Sequence, residues 1–184
     1  QIAVNPNYYR WWNPKFKDYI KQQPVAFFSI LLREDLSCLN CLSSDFVVLN
    51  DIMAKYYGLP VPDSGHRFSR VPASEHRGGV LTQPAFLLAH GDGEDAHAVN
   101  RGVWLRSRLL GDPPRNLPPE VPTLDDLDEA QPDAVSLSTK ARLALPRKGI
   151  CYDCHHDIDP WGVAMESFDA AGKYREKILR LTPE

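Results

Sequence analysis

Cys151-Tyr152-Asp153-Cys154-His155, followed by His156-Asp157-Ile158-Asp159-Pro160-Trp161-Gly162, is the stretch whose reading decides the rest of this chain. Two cysteines separated by two residues, with histidine directly after the second, form a C-x-x-C-H pattern. In that pattern the thiols add to the two vinyl groups of a haem and the histidine ligates its iron. The spacing has a physical cause. Residues three apart on a helical turn share a face and reach both vinyls, while the next residue projects beneath the ring. Cys151 and Cys154 are thus the candidate attachment points for a single covalent haem c, and His155 is the candidate proximal ligand. Pro160 is expected to end the haem-bearing turn. Beyond it, Trp161, Val163 and Phe168 are expected to wall the haem edge and exclude water, which raises the reduction potential. Ordinary core packing is the plainer use of the same side chains.

Two other chemistries suit paired thiols. Cys38 and Cys41, in Cys38-Leu39-Asn40-Cys41-Leu42, would complete a four-cysteine zinc site with Cys151 and Cys154. A thioredoxin-like redox pair is the weaker alternative. It needs the motif at the end of a strand opening a βαβ helix, whereas Gly149 and Ile150 follow a basic, proline-containing turn. Leu42 stands where a second haem site would need histidine, so a single haem is expected, and Cys38 and Cys41 are left as free thiols, a short disulfide or zinc ligands.

Working outward, the fold is predicted to be mainly α: an irregular helical domain with a cytochrome c-type haem-binding segment near the C-terminus and a proline-rich strap. Three regions are expected within one compact unit: an N-terminal helical region at 1–60, a helical pair and strap at 61–122, and the haem-binding segment at 123–184. Aromatic and aliphatic residues from Tyr8 to Leu36 recur at separations of three, four and seven. Pro24 divides that run into two predicted helices, Pro14 to Gln22 and Pro24 to Arg33. A further helix is predicted from Asp45 to Tyr57, with Ser44 or Asp45 as N-cap and Gly58 closing it. Leu59 to Arg77 reads as an irregular connection with one short strand. Helices over Gly79 to Ala89 and Ala98 to Leu110 are expected to pair and to carry the haem segment. From Gly111 to Pro122 proline density forbids a helix interior and favours an extended strap. Asp125 to Asp133 reads as solvated acid, and Thr139 to Leu145 as a short helix.

Composition excludes some functions. The chain has 184 residues, 43% of them hydrophobic, enough for one sizeable core. Its formal charge of −3, with 21 Lys and Arg scattered rather than clustered, gives no surface for nucleic acid. Val25 to Leu32 is the longest apolar stretch and falls far short of the ~20 residues that span a bilayer. Gln1 to Arg10 does not have the form of a signal peptide, as expected for a mature or trimmed chain.

The motif and its surroundings resemble a known family. Ile158-Asp159-Pro160-Trp161-Gly162 and then Glu166-Ser167-Phe168-Asp169-Ala170-Ala171-Gly172-Lys173-Tyr174-Arg175 are similar to blocks of the planctomycete-type cytochrome-like secreted proteins, known mostly as domains of unknown function. Arg77-Gly78-Gly79-Val80-Leu81-Thr82-Gln83-Pro84-Ala85-Phe86-Leu87, Gly93 to Leu105 and Ser44 to Gly58 are similar to the blocks before them. The resemblance implies an exported, periplasmic haem protein. It implies too that the chain is an internal piece of a longer polypeptide, or one subunit produced by cleavage, with the remaining parts, other haem subunits or a redox partner protein as its partners.

The sixth iron ligand separates electron transfer from chemistry at the metal, because a closed site carries electrons and an open one binds small molecules. His97 leads the candidates: it follows the polar turn Gly91 to Asp95, it caps the helix from Ala98, and the family resemblance implies histidine there. Met165 is the less favoured candidate, since it lies close in sequence to His155, reads as core, and occupies a position where the resemblance implies an aliphatic residue more often. His90 is held in reserve, His66, His76 and Met53 complete the set, and His156 should face away from the iron. The first functional expectation is periplasmic electron transfer by a c-type cytochrome. The alternatives are a haem-dependent oxidoreductase, peroxidase-like or acting on a small molecule, with an open iron and His97 or Arg101 assisting proton movement, and a structural haem module of a larger secreted assembly.

Overall fold

The computed structural model describes residues 4–115 and 150–176, the side chains of Ile150 and Cys151 excepted. Helix dominates, joined by one two-stranded sheet among the described residues. They fall into two compact units: residues 4–96 with 168–174, and residues 97–115 with 150–167 and 175–176. The predicted strap beyond Arg115, the acidic stretch and the helix over Thr139 to Leu145 lie outside the described residues. Asp112 to Arg115, at the head of the strap, have no regular structure.

The first unit begins with α1, Phe16–Arg33. This is one helix where the sequence predicts two, because Pro24 lies inside it. A helix-interior proline costs about 3 kcal/mol through its missing N–H. Ile20, Gln23, Phe27 and Leu31 form one buried stripe across that position, and burying a large apolar side chain returns about 1.5–3 kcal/mol each. Packing on both sides of Pro24 therefore outweighs the local break. Buried Gln23 is also satisfied, donating to Val48 O at 3.1 Å and accepting from the Tyr57 hydroxyl at 2.8 Å.

The predicted helix over Asp45 to Tyr57 resolves into β1, Phe46–Leu49, and α2, Asp51–Tyr57. All four residues of β1 are buried, and they divide with the period of two that a strand imposes. Phe46 and Val48 join Phe27 and Leu31, whereas Val47 and Leu49 join Ile20, Met53 and Tyr56. A helix would put these four around a cylinder and could not feed two clusters in alternation. The strand pairs antiparallel with β2, Ser69–Pro72, from Phe46 opposite Pro72 to Leu49 opposite Ser69. This is the short strand expected before Arg77. The N-cap of α2 is therefore Asn50 rather than Ser44 or Asp45: its side chain accepts from Met53 N at 2.9 Å. Gly58, at φ +69°, closes the helix as predicted.

Helix α3, Pro84–Ala89, begins at a proline in its first position and packs on α1. The unit is completed by residues 168–174. There Phe168 and Tyr174 bridge in antiparallel fashion, Gly172 turns the chain at φ +73°, and Ala170 and Ala171 enter the core. The Tyr56 hydroxyl donates to Ala171 O.

In the second unit α4, Ala98–Leu105, runs on through a π-helical turn, Arg106–Leu110, to Gly111, and packs against α5, Ile150–Val163. The partner of α4 is thus the motif helix. The helices approach closely because glycine stands at the contact. A Cβ on Gly162 would collide with the Ala98 carbonyl, and one on Gly102 with the Ile158 carbonyl. Pro160 does not end the motif helix as predicted, for α5 continues to Val163. Only three residues follow the proline, and Gly162 against Ala98 holds that last turn in register. Arg101, wholly buried on α4, donates from Nη1 to Met165 O at 2.9 Å and ties the end of α5 to the other helix.

Candidate functional site

The C-x-x-C-H residues lie on the first turns of α5, so Cys151 and Cys154 are one helical turn apart on the backbone. Cys154 is a partly exposed free thiol. His155 is held by its own helix: its Nδ1 lies 2.8 Å from Asp159 Oδ1, the next carboxylate four residues on, with the two side chains 26% and 12% exposed. His156 is engaged differently, with Nδ1 on Tyr152 O at 2.7 Å, Nε2 on Asp157 Oδ1 at 3.0 Å and its ring stacked on Tyr152. Both nitrogens of His156 are therefore occupied. His155 commits only Nδ1 among the described residues, which leaves Nε2 to serve a metal.

An open cleft of about 590 Å³ lies along this end of α5, where Cys154 faces Arg106, Pro113, Pro114 and Arg115. That volume falls within the ~300–1,000 Å³ of ordinary cofactor and ligand pockets. Arg106 is anchored there by Asp112 and, at 3.6 Å, by Asp157. The hydrogen bond to Asp112 holds its guanidinium above the usual arginine range. The head of the predicted strap thus borders the motif. Tyr152, Trp161, Leu109 and Leu110 present large apolar surface to solvent in this unit.

The family profile described as PSCyt3, a protein of unknown function (DUF1588), matches residues 77–178, more than half of the chain. The chain belongs to the PSCyt3 family. A second profile, PSD4, a protein of unknown function (DUF1592), matches residues 1–59. Both are planctomycete cytochrome-like families, in keeping with the resemblance carried by the sequence blocks. Comparison with curated proteins and with solved structures returned no match. The two matched stretches meet within the first unit, where Tyr56 of the PSD4 stretch binds Ala171 of the PSCyt3 stretch and the backbone at Gly78 and Gly79 abuts Ser44, Cys41 and Leu42.

Two cysteines and a histidine on one helix are the residue types that a c-type haem would use. His155 is oriented by a carboxylate, as metal-ligating histidines are, and the Cys154 thiol on the same helix faces an open cleft that is lined by His156 rather than His155. Asp159 is the residue that reading the sequence missed, although its i, i+4 distance from His155 was the available signal.

Of the candidate sixth ligands, His97 and Met165 belong to the same unit as His155. His97 precedes α4 in the left-handed region, at φ +45°. Its neighbour Ala98 meets Gly162, seven residues or roughly 10 Å of helix beyond His155. Met165 is buried, and its carbonyl is held by Arg101. The other candidates lie in the first unit: His90 bonds Phe86 O at 2.8 Å, His66 bonds Asp51 at 2.9 Å, His76 stacks on Tyr174, and Met53 is core. Phe168 is buried in the first unit under the Arg77 guanidinium, and Trp161 is exposed on α5. Cys38 and Cys41 occupy a 3₁₀ turn, Cys38–Cys41, as unbridged thiols. Burial, then the neighbouring Cys38 sulfur, pushes the Cys41 thiol up. No helix among the described residues is long and apolar enough to cross a membrane.

Proposed function

We propose that this chain is a c-type cytochrome segment carrying one covalent haem on Cys151 and Cys154, with His155 as proximal ligand, and that it transfers electrons in the periplasm or another exported compartment. The observation that carries this reading is the contact between His155 Nδ1 and Asp159, 2.8 Å apart inside the motif helix. A carboxylate accepting the Nδ1–H selects the tautomer with its lone pair on Nε2, fixes the ring and raises its basicity. When bound, haem supplies reversible one-electron chemistry at iron.

The protein's own part is to hold and tune. The helical turn from Cys151 to His155 sets both thiols and the imidazole on one short segment, and Asp159 steadies the imidazole. The close α4–α5 contact through Gly102 and Gly162 seats the later turns of the same helix against α4. Trp161 and Tyr152 offer apolar surface that limits water near such a group. His97 remains the favoured sixth ligand, and Met165 the second choice. Arg101 is fully buried with Nη1 on Met165 O, so it has a structural role rather than that of a distal proton carrier. Export, and a redox partner protein, further haem subunits or the remaining parts of a longer polypeptide as partners, belong to the same proposal, whose support is the cytochrome-like family.

The test is the visible spectrum of the protein produced in a host that matures c-type cytochromes, before and after acid-acetone extraction. Colour that survives extraction in the wild type but not in the Cys151→Ala, Cys154→Ala double variant supports covalent attachment, and sharp low-spin bands support a six-coordinate electron carrier. Absence of haem from the wild-type protein would overturn the reading.

A further inference from the structure

The first unit contains a second, smaller pocket, of about 140 Å³, lined in part by Tyr57, Ser74, His76, Arg77, Lys173 and Tyr174. It is too small for a whole cofactor, since ordinary ligand pockets begin near ~300 Å³. It is large enough for a charged group and a few attached atoms.

Its chemistry is set by two cations held in place, Arg77 and Lys173, with Asp169 the acid that acts on both. The Arg77 guanidinium lies between the rings of Tyr57 and Phe168, 4.4 and 4.8 Å from their centroids. Nη1 donates to Thr82 O at 2.5 Å and Nη2 to Gly172 O at 2.7 Å. Guanidinium has five N–H donors. Nε–H and one hydrogen on each terminal nitrogen therefore have no protein acceptor among the described residues. Lys173 enters from the turn at 168–174, its ammonium 3.8 Å from the centroid of the Trp11 ring.

Neither cation forms an ion pair among the described residues. Asp169, the acid nearest in effect, uses Oδ1 to accept the backbone N–H of Lys173 at 2.8 Å. Burial holds Arg77 and Lys173 below their usual ranges; Asp169 offsets part of this at both, and Arg77 in turn lowers Lys173. Two like charges drawn partly out of water beside one carboxylate leave an excess positive charge that a further anion would stabilise. One wall is flat and aromatic, because the His76 ring stacks on Tyr174 with centroids 3.6 Å apart.

We propose that this pocket binds the oxyanion of a small molecule, a carboxylate or a phosphate, between Arg77 and Lys173, with the stacked His76–Tyr174 pair covering the adjoining atoms. Planar guanidinium presents paired N–H groups that match either oxyanion, and charge-assisted bonds of this kind are the strong ones. The site is independent of the haem reading, as it uses none of the motif residues.

Heteronuclear NMR of the intact protein tests it, following the Arg77 Nε–H and the amides of His76, Arg77, Lys173 and Tyr174. Sodium acetate and sodium phosphate are titrated separately against sodium chloride at constant ionic strength. Saturable shifts at these groups with a Kd at or below about 1 mM are expected for one oxyanion or both. Tighter binding of acetate assigns a carboxylate ligand, and tighter binding of phosphate a phosphate ligand. Lys173→Met, which keeps every backbone bond of the turn, is expected to weaken binding about tenfold, and Arg77→Lys to weaken it by at least as much. Shifts no larger than those with chloride, or saturation unchanged in Lys173→Met, would overturn the proposal.

Discussion

The two units of this chain are held together by different means. In the first, large apolar and aromatic side chains do most of the work: Phe27 stacks on Phe46, Phe16 and Trp12 meet Tyr56 edge to face, and Ile20, Leu49 and Met53 are fully buried. In the second, Ala98, Leu105, Ile158 and Met165 are the buried apolar residues described, beside buried Arg101, Asp159 and Glu166. Among the described residues, close backbone contact at Gly102 and Gly162 adds to this packing, while Tyr152, Trp161, Leu109 and Leu110 are exposed. A unit that buries charge and exposes aromatic surface is suited to gain stability from what it binds. The first unit carries its own core.

Gly162→Val should have the largest effect. Its side chain would strike the Ala98 carbonyl, separate α4 from α5 and cost about 3–5 kcal/mol, read as loss of cooperative unfolding in the second unit by thermal melting with circular dichroism. Retention of wild-type stability would mean that the glycine contact is not what holds α5. Phe27→Ala tests the other side of the comparison. Removing a fully buried phenyl from between Leu31 and Phe46 should cost about 3–4 kcal/mol, and hydrogen exchange should find the loss confined to the first unit. If protection on α4 and α5 fell equally, the two units would be one cooperative system.

Alkaline titration sharpens the contrast, because the buried phenols belong to the first unit. Burial pushes the Tyr57 hydroxyl up to about 12 and raises Tyr56 as well. The folded state thus keeps these protons after the unfolded chain has begun to release them. The contribution of Tyr57 to stability is complete below the ordinary tyrosine pKa of about 10 and is lost as the pH rises from there through about 12. Far-ultraviolet melts across that range should show the first unit weakening, and Tyr57→Phe should remove part of the dependence. The smallest expected effect lies on the surface. Glu34→Gln breaks the exposed pair with Arg70 and should change stability by no more than about 0.5 kcal/mol in urea titration, because water already screens both charges.

Much of this was legible in the residues. Gly58 as a helix stop, the short strand before Arg77, a helix reaching Ala89 and the helix from Ala98 follow from local rules of periodicity, capping and punctuation, and the structure agrees with each, the helix to Ala89 beginning only at Pro84. Three readings failed for one shared reason. Local preference predicts a break at Pro24, a helix through Phe46-Val47-Val48-Leu49 and a stop at Pro160, whereas their conformations answer to contacts made elsewhere: the stripe either side of Pro24, the two clusters beside β1, and Ala98 against Gly162. In the candidate site, the motif and His155 could be read directly because spacing along one helix is a local property. Asp159 could have been read in the same way. Arg77 and Lys173 could not, since nothing in a sequence brings residues nearly a hundred positions apart to one pocket.

The sequence by itself determined the chemistry on offer, a C-x-x-C-H motif in a helix-rich chain of the cytochrome-like family, because side-chain identity and short spacing are carried in the chain itself. Tertiary structure alone decided which helices pack, that glycines let α4 and α5 approach closely, and that two cations share an aromatic pocket. Those outcomes depend on burial and on contacts between distant residues, whose energies exist only once the chain has closed on itself.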